Sequence, residues 1–118
     1  MIIYNIKGII LLKILVCMNI VLKVGNLPSD YQFSLSWKMD DSCYGPKDSV
    51  VYIANETYVD RCCLIQGIYT LTCRNDVEPF GWASSFIEIL GQRYCDDFVG
   101  FKGLRKIIVS GKFEEILV

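Results

Sequence analysis

Apolar and polar positions alternate with a period of two along much of the chain. From Asp30 to Lys38, Tyr31, Phe33, Leu35 and Trp37 fall on one side, and Gln32, Ser34, Ser36 and Lys38 on the other. Such alternation predicts a strand with one packed face and one wet face, with Trp37 in the core. Val50-Val51-Tyr52-Ile53 is a β-branched and aromatic run and predicts a short strand. In Ile68 to Cys73, Tyr69, Leu71 and Cys73 share a face opposite Thr70 and Thr72. Phe86 to Leu90 predicts the next strand, and Gly91-Gln92 a hairpin turn into Arg93–Phe98. Gly100 and Gly103 bracket a further turn before a strand over Leu104–Val109. Phe113–Val118 reads as a last strand or an ordered tail. No heptad, repeat or long helical period occurs beyond the first 25 residues. Short strands at regular spacing predict an all-β domain, a small antiparallel β-sandwich of jelly-roll or CUB-like type.

The N-terminus departs from this pattern. Ile9 to Leu22 is an apolar run, Lys7 precedes it, and Gly25-Asn26-Leu27-Pro28 follows. This predicts a signal helix over residues 1–25, with the secreted domain spanning 26–118. Lys13 interrupts the run, and no small-x-small cleavage site stands out. A retained membrane anchor is the alternative. Against it, the run is shorter than the roughly 20 residues that span a bilayer, and a central lysine costs about 3 kcal/mol of insertion. The first 25 residues hold three lysines and no acid; the rest has nine basic and thirteen acidic residues, a balance of −4. That balance excludes a nucleic-acid binder, which needs clustered positive charge.

Six cysteines occur, at 17, 43, 62, 63, 73 and 95. Removal of a leader containing Cys17 would leave five. An odd count implies a thiol without a partner, or a covalent dimer through it. Cys62 and Cys63 are adjacent, so on a strand they face opposite ways and need different partners. Cys73–Cys95 is the expected first bridge, worth roughly 3 kcal/mol by loop closure. Cys43 with Cys62 or Cys63 is the second. A zinc site is disfavoured because C-x-x-C spacing and histidine are both absent. Staples suit a small domain with a thin core in an oxidising compartment. Asn55-Glu56-Thr57 is a glycosylation sequon, which predicts an exposed loop at Asn55.

Several of these residues form one longer pattern: Cys62-Cys63-Leu64, then Gly67-Ile68-Tyr69-Thr70-Leu71-Thr72-Cys73, then Gly81-Trp82. Ile87-Glu88-Ile89, Gly91 and Tyr94-Cys95 complete it. This stretch resembles a loosely defined set of secreted invertebrate β-sandwich modules of CUB-like character. Those modules read C-C-L-x-x-G-x-Y-T-L-T-C, G-D-G-W and I-E-I-x-G-x-x-Y-C. The resemblance covers about Cys62 to Phe98 and implies a disulfide-linked extracellular module with a binding or matrix role. Here Pro79-Phe80-Gly81-Trp82 replaces Gly-Asp-Gly-Trp, so the acidic residue of that turn is missing.

Candidate chemistry is sparse. Without histidine, Ser-His-Asp and Cys-His catalysis is excluded. A carboxylate pair for glycoside hydrolysis can be drawn only from Asp76, Glu78 or Glu88. The expectation is therefore a protein that is not an enzyme. Asp40-Asp41 and Asp96-Asp97 each follow a predicted strand; if those ends meet, their oxygens could hold Ca²⁺, against the plainer reading of solvated strand ends. Phe80 and Trp82 flank Gly81 on a predicted loop and are candidate contact aromatics for a protein or glycan. The alternative packs Trp82 over the end of the sandwich. Together these features predict an extracellular, non-catalytic binding or matrix-type module. The alternatives are a secreted effector, such as a toxin or enzyme inhibitor, and a lectin-like carbohydrate binder. A membrane would be a partner only if the leader is retained.

Overall fold

A computed structural model describes residues 2–6, 9–13, 15–27, 35–76, 81–82, 84–110 and 113–117. The described residues are all β, with no helix among them. Among the described residues eleven antiparallel strands form three sheets. Strands β1 (Ile2–Ile6), β2 (Ile9–Lys13) and β11 (Phe113–Leu117) make a three-stranded sheet centred on β2. Strands β3 (Val16–Lys23), β6 (Thr57–Leu64), β8 (Phe86–Ile89) and β9 (Gln92–Tyr94) form a four-stranded sheet in the order β6-β3-β8-β9. Strands β4 (Leu35–Met39), β5 (Cys43–Gly45), β7 (Gly67–Asn75) and β10 (Lys102–Val109) form the other, in the order β10-β7-β4-β5.

The core lies between the two four-stranded sheets. One sheet contributes Met18, Ile20, Leu22, Ile87 and Ile89; the other contributes Leu35, Trp37, Met39, Leu71 and Ile107. The period of two delivers them: in β3, residues 18, 20 and 22 are buried while 17, 19 and 23 are exposed. Each buried aliphatic side chain stabilises the fold by about 1.5–3 kcal/mol relative to exposure. Tyr52 fills one end. Its hydroxyl accepts from Trp37 Nε1 at 3.0 Å, and its ring lies 4.9 Å from that of Tyr58. Gly45 permits this approach, because a Cβ there would run into Tyr52 Oη and Trp37 Nε1. Burial pushes the Tyr52 phenol well above its ordinary value.

Three expectations bear on these elements. Val16–Lys23, within the span expected as a signal helix, is described as β3, an inner strand of its sheet. Its alternation was hidden by continuous apolarity on the N-terminal side, but Asn19 and Lys23 keep to the outward positions. The core includes Met18, Ile20, Leu22 and Val24. Val50–Ile53 is not a strand; it is loop, with Tyr52 as its buried anchor. The strand expected from Asp30 is described from Leu35 onward; Tyr31 and Phe33 lie outside the described residues.

All six cysteines are bonded in pairs, and none is free. Cys43–Cys62 joins edge strand β5 of one sheet to edge strand β6 of the other, with Cα atoms 6.0 Å apart. Cys73–Cys95 ties β7 to the segment after β9, with Cα atoms 6.2 Å apart. Cys17–Cys63 links directly opposed residues of β3 and β6. Cys62 and Cys63 thus take different partners, one inward and one outward. The odd count disappears because Cys17 belongs to the fold, so no cysteine remains for a bridge between chains. Three disulfides indicate an oxidising environment. No helix among the described residues is long and apolar enough to cross a membrane.

Candidate functional site

A concavity of about 400 Å³ lies on the outer face of the β6-β3-β8-β9 sheet. Asn19 and Val21 of β3 form its floor with the Cys17 end of that strand. Arg61 borders it from β6; Glu88 and Leu90 border it from β8 and the turn that follows. Register explains the grouping. Asn19 pairs with Arg61, and Val21 pairs with both Val59 and Glu88. These outward residues therefore form adjacent rows across the sheet.

The rim carries both charges. Glu88 Oε2 stands 4.0 Å from Lys23 Nζ, with both side chains substantially exposed. Such a pair contributes little stability and leaves the carboxylate accessible. The guanidinium of Arg93 stacks 3.8 Å from the Phe86 ring centroid, and Lys23 Nζ lies 5.8 Å from the same centroid. Arg61 is exposed and has no ion pair among the described residues. Leu90 is 75% exposed despite being a large aliphatic residue. Ionic, amide and apolar groups thus border one depression.

The residues singled out from the sequence distribute differently. Trp82 is buried, at 2% exposure, and is not a contact aromatic. Its Nε1 donates to the Arg74 carbonyl at 2.9 Å, and its ring stands edge-on to Phe98. The cause is local hydrogen bonding that folds the loop inward: Asn75 Nδ2 donates to the Gly81 carbonyl at 2.7 Å, and Gly81 N–H donates to Gly100 O at 3.0 Å. Phe80 and Glu78 lie outside the described residues.

The acidic doublets do not assemble a cation site. Among the described residues no three His, Cys, Asp or Glu groups gather within metal-binding reach. Asp97 is ion-paired with Arg105. Asp40 closes the β4–β5 turn, where its carboxylate accepts from Thr70 N–H at 3.3 Å. Asp41 and Asp96 are exposed. Asp76, just after β7, pairs with Arg74, whereas Glu88 lies on β8 of the other sheet; Glu78, the third carboxylate drawn from the sequence, lies outside the described residues. Asn55 is exposed in the loop before β6.

Sequence reasoning missed Arg61, Asn19 and Leu90. The signal for Arg61 was present: Thr57, Val59, Arg61 and Cys63 alternate with the more buried Tyr58, Asp60, Cys62 and Leu64. Reading this run for its cysteines obscured its strand. No protein-family model, curated protein or solved structure matches the chain.

Proposed function

We propose that this chain is a secreted, non-catalytic binding module of CUB-like kind, acting on an extracellular protein through the concavity beside Asn19, Arg61 and Leu90. The carrying observation is that concavity: about 400 Å³, with charged groups and an exposed leucine on its rim, set on a sheet stapled to its neighbour. The three disulfides and the exposed sequon at Asn55 support an extracellular glycoprotein. The pattern from Cys62 to Cys95 adds the CUB-like resemblance. Trp82 itself drops out as a contact aromatic, because its ring is buried.

The test uses the whole chain, expressed in secretory cells and recovered from the medium with its disulfides mapped. Capture of purified extracellular proteins is then compared with that by Arg61→Glu and Leu90→Asp. Both positions are exposed, so the unfolding midpoint should hold while capture weakens about tenfold or more. Retention of the chain inside the cell in reduced form, or capture indifferent to both substitutions, would overturn the reading.

A further inference from the structure

Two neighbours of unequal length create the concavity. On the β6 side, β3 is paired along its whole length, from Val16 to Lys23. On the β8 side, pairing covers only Val21, Leu22 and Lys23. Among the described residues the first half of β3 therefore has one neighbour strand, and a gap opens where a continuation of β8 would lie.

Register fixes which backbone groups face that gap. The Cα atoms of Cys17 and Cys63 are 3.9 Å apart, the close spacing of a pair that exchanges no backbone hydrogen bonds. Independently, Val24 N–H donates to Glu56 O at 3.0 Å. The even-numbered residues thus bond to β6, and the odd-numbered ones aim N–H and C=O toward β8. Val21 and Lys23 meet β8 there. Cys17 and Asn19 do not: among the described residues, no backbone hydrogen bond joins them to the turn after β8. That turn, Leu90-Gly91, has φ of 51° and 80° and sends the chain into β9 before the ladder can extend.

We propose that the half-strand Val16–Ile20 is a docking edge for an extended, acidic segment of a partner protein, which adds as a strand and continues the line of β8. The proposal rests on the binding-module reading above and names the mode of binding. Cys17 and Asn19 supply two N–H donors and two C=O acceptors in strand geometry, and alternate partner side chains supply specificity. Arg61 stands in the same row as Asn19, one strand farther from the added segment, and its long side chain, without an ion pair among the described residues, favours a carboxylate in that segment. Two residues along, the partner side chain lies beside the exposed Cys17–Cys63 sulfurs and is apolar. Leu90 bounds the end of the groove.

The test begins with amide hydrogen exchange on the oxidised full chain. Cys17 and Asn19 amides should exchange much faster than those of Met18 and Ile20. A hexapeptide alternating valine with threonine and carrying one aspartate should slow both amides. N-methylation of its backbone should abolish that effect. Replacing the aspartate by lysine should weaken binding about fivefold, and Arg61→Ala should remove that preference.

Equal protection of all four amides in the free monomer would overturn the proposal. So would protection that rises with protein concentration alone, which would assign the edge to a second copy. Indifference to N-methylation would also overturn it. If no peptide binds while capture of extracellular proteins still depends on Arg61 and Leu90, strand addition fails and the module reading stands. If peptides bind but the chain is never secreted, the module reading fails and the edge stands.

Discussion

Replacing Trp82 by alanine should unfold this protein more readily rather than blunt its binding. The side chain is 2% exposed. A tryptophan of this burial removes about 200 Å² from water, worth about 5 kcal/mol at 25 cal/mol per Å². Its indole N–H also satisfies the Arg74 carbonyl at 2.9 Å, which adds about 1 kcal/mol. Partial collapse of the site returns some of this, so the expected loss is about 3–5 kcal/mol, as for other large aromatic truncations. Trp82→Phe keeps most of the apolar area and loses the hydrogen bond, and should cost about 1–3 kcal/mol. The assay is equilibrium urea unfolding of the oxidised protein, followed by fluorescence of Trp37, the other tryptophan. The order wild type, then phenylalanine, then alanine should appear in the midpoints with little change in slope. A Trp82→Ala protein within about 1 kcal/mol of wild type that had lost partner capture would refute the burial argument, since typical core truncations cost far more.

Other consequences are checked separately. Cys17 and Cys63 are both exposed, whereas Cys62, Cys73 and Cys95 are buried. Graded reduction followed by alkylation and mass mapping should therefore open Cys17–Cys63 first, because exchange depends on access. Tyr52 is held neutral by burial, so its raised phenol value favours the folded protein at and below the ordinary tyrosine value of about 10. That stabilisation is lost as pH rises beyond it, and tyrosinate absorbance should show Tyr52 ionising only as the chain unfolds. Added Ca²⁺ should leave the unfolding midpoint unmoved, because Asp97 is committed to Arg105 and no carboxylate cluster exists among the described residues. A midpoint rising with Ca²⁺ would refute this. The protein recovered from secretory cells should still carry Cys17 bonded to Cys63; a mature chain lacking β3 would contradict the sandwich as described.

Where one face is wet, the sequence declared itself. Leu35 and Trp37, then Leu71 and Cys73, alternate with polar neighbours, Ile87 and Ile89 flank Glu88, and all six are buried. Cys73–Cys95 was legible as a bridge between two strand-like runs, and the opposite facing of Cys62 and Cys63 left Cys43 with one or the other, which the structure resolves as Cys62. β3 was illegible for a physical reason. Its apolar run merges with that of β2, and a continuous run carries no period that separates strand from leader helix. Tyr52 misled in the other direction: it is a β-former held in a loop by burial and a hydrogen bond, which local propensity does not register. The candidate site was the least legible part. It depends on where β8 stops pairing with β3, and that length is decided by the turn at Leu90-Gly91 rather than by any motif.

The vicinal cysteines also set how this molecule would bear a pull. Tension entering near Cys17 crosses at once to Cys63, passes along the short stretch to Cys73, and crosses again to Cys95. The 46- and 22-residue separations spanned by those two bonds carry no load. At about 3.4 Å per residue, about 230 Å of chain is thereby withheld from extension. Cleaving Cys17–Cys63 reroutes the load through Cys43–Cys62 and releases only about 90 Å of it. A tether built from such units would lengthen in steps set by the surrounding redox potential, with the outermost bond acting as the first fuse.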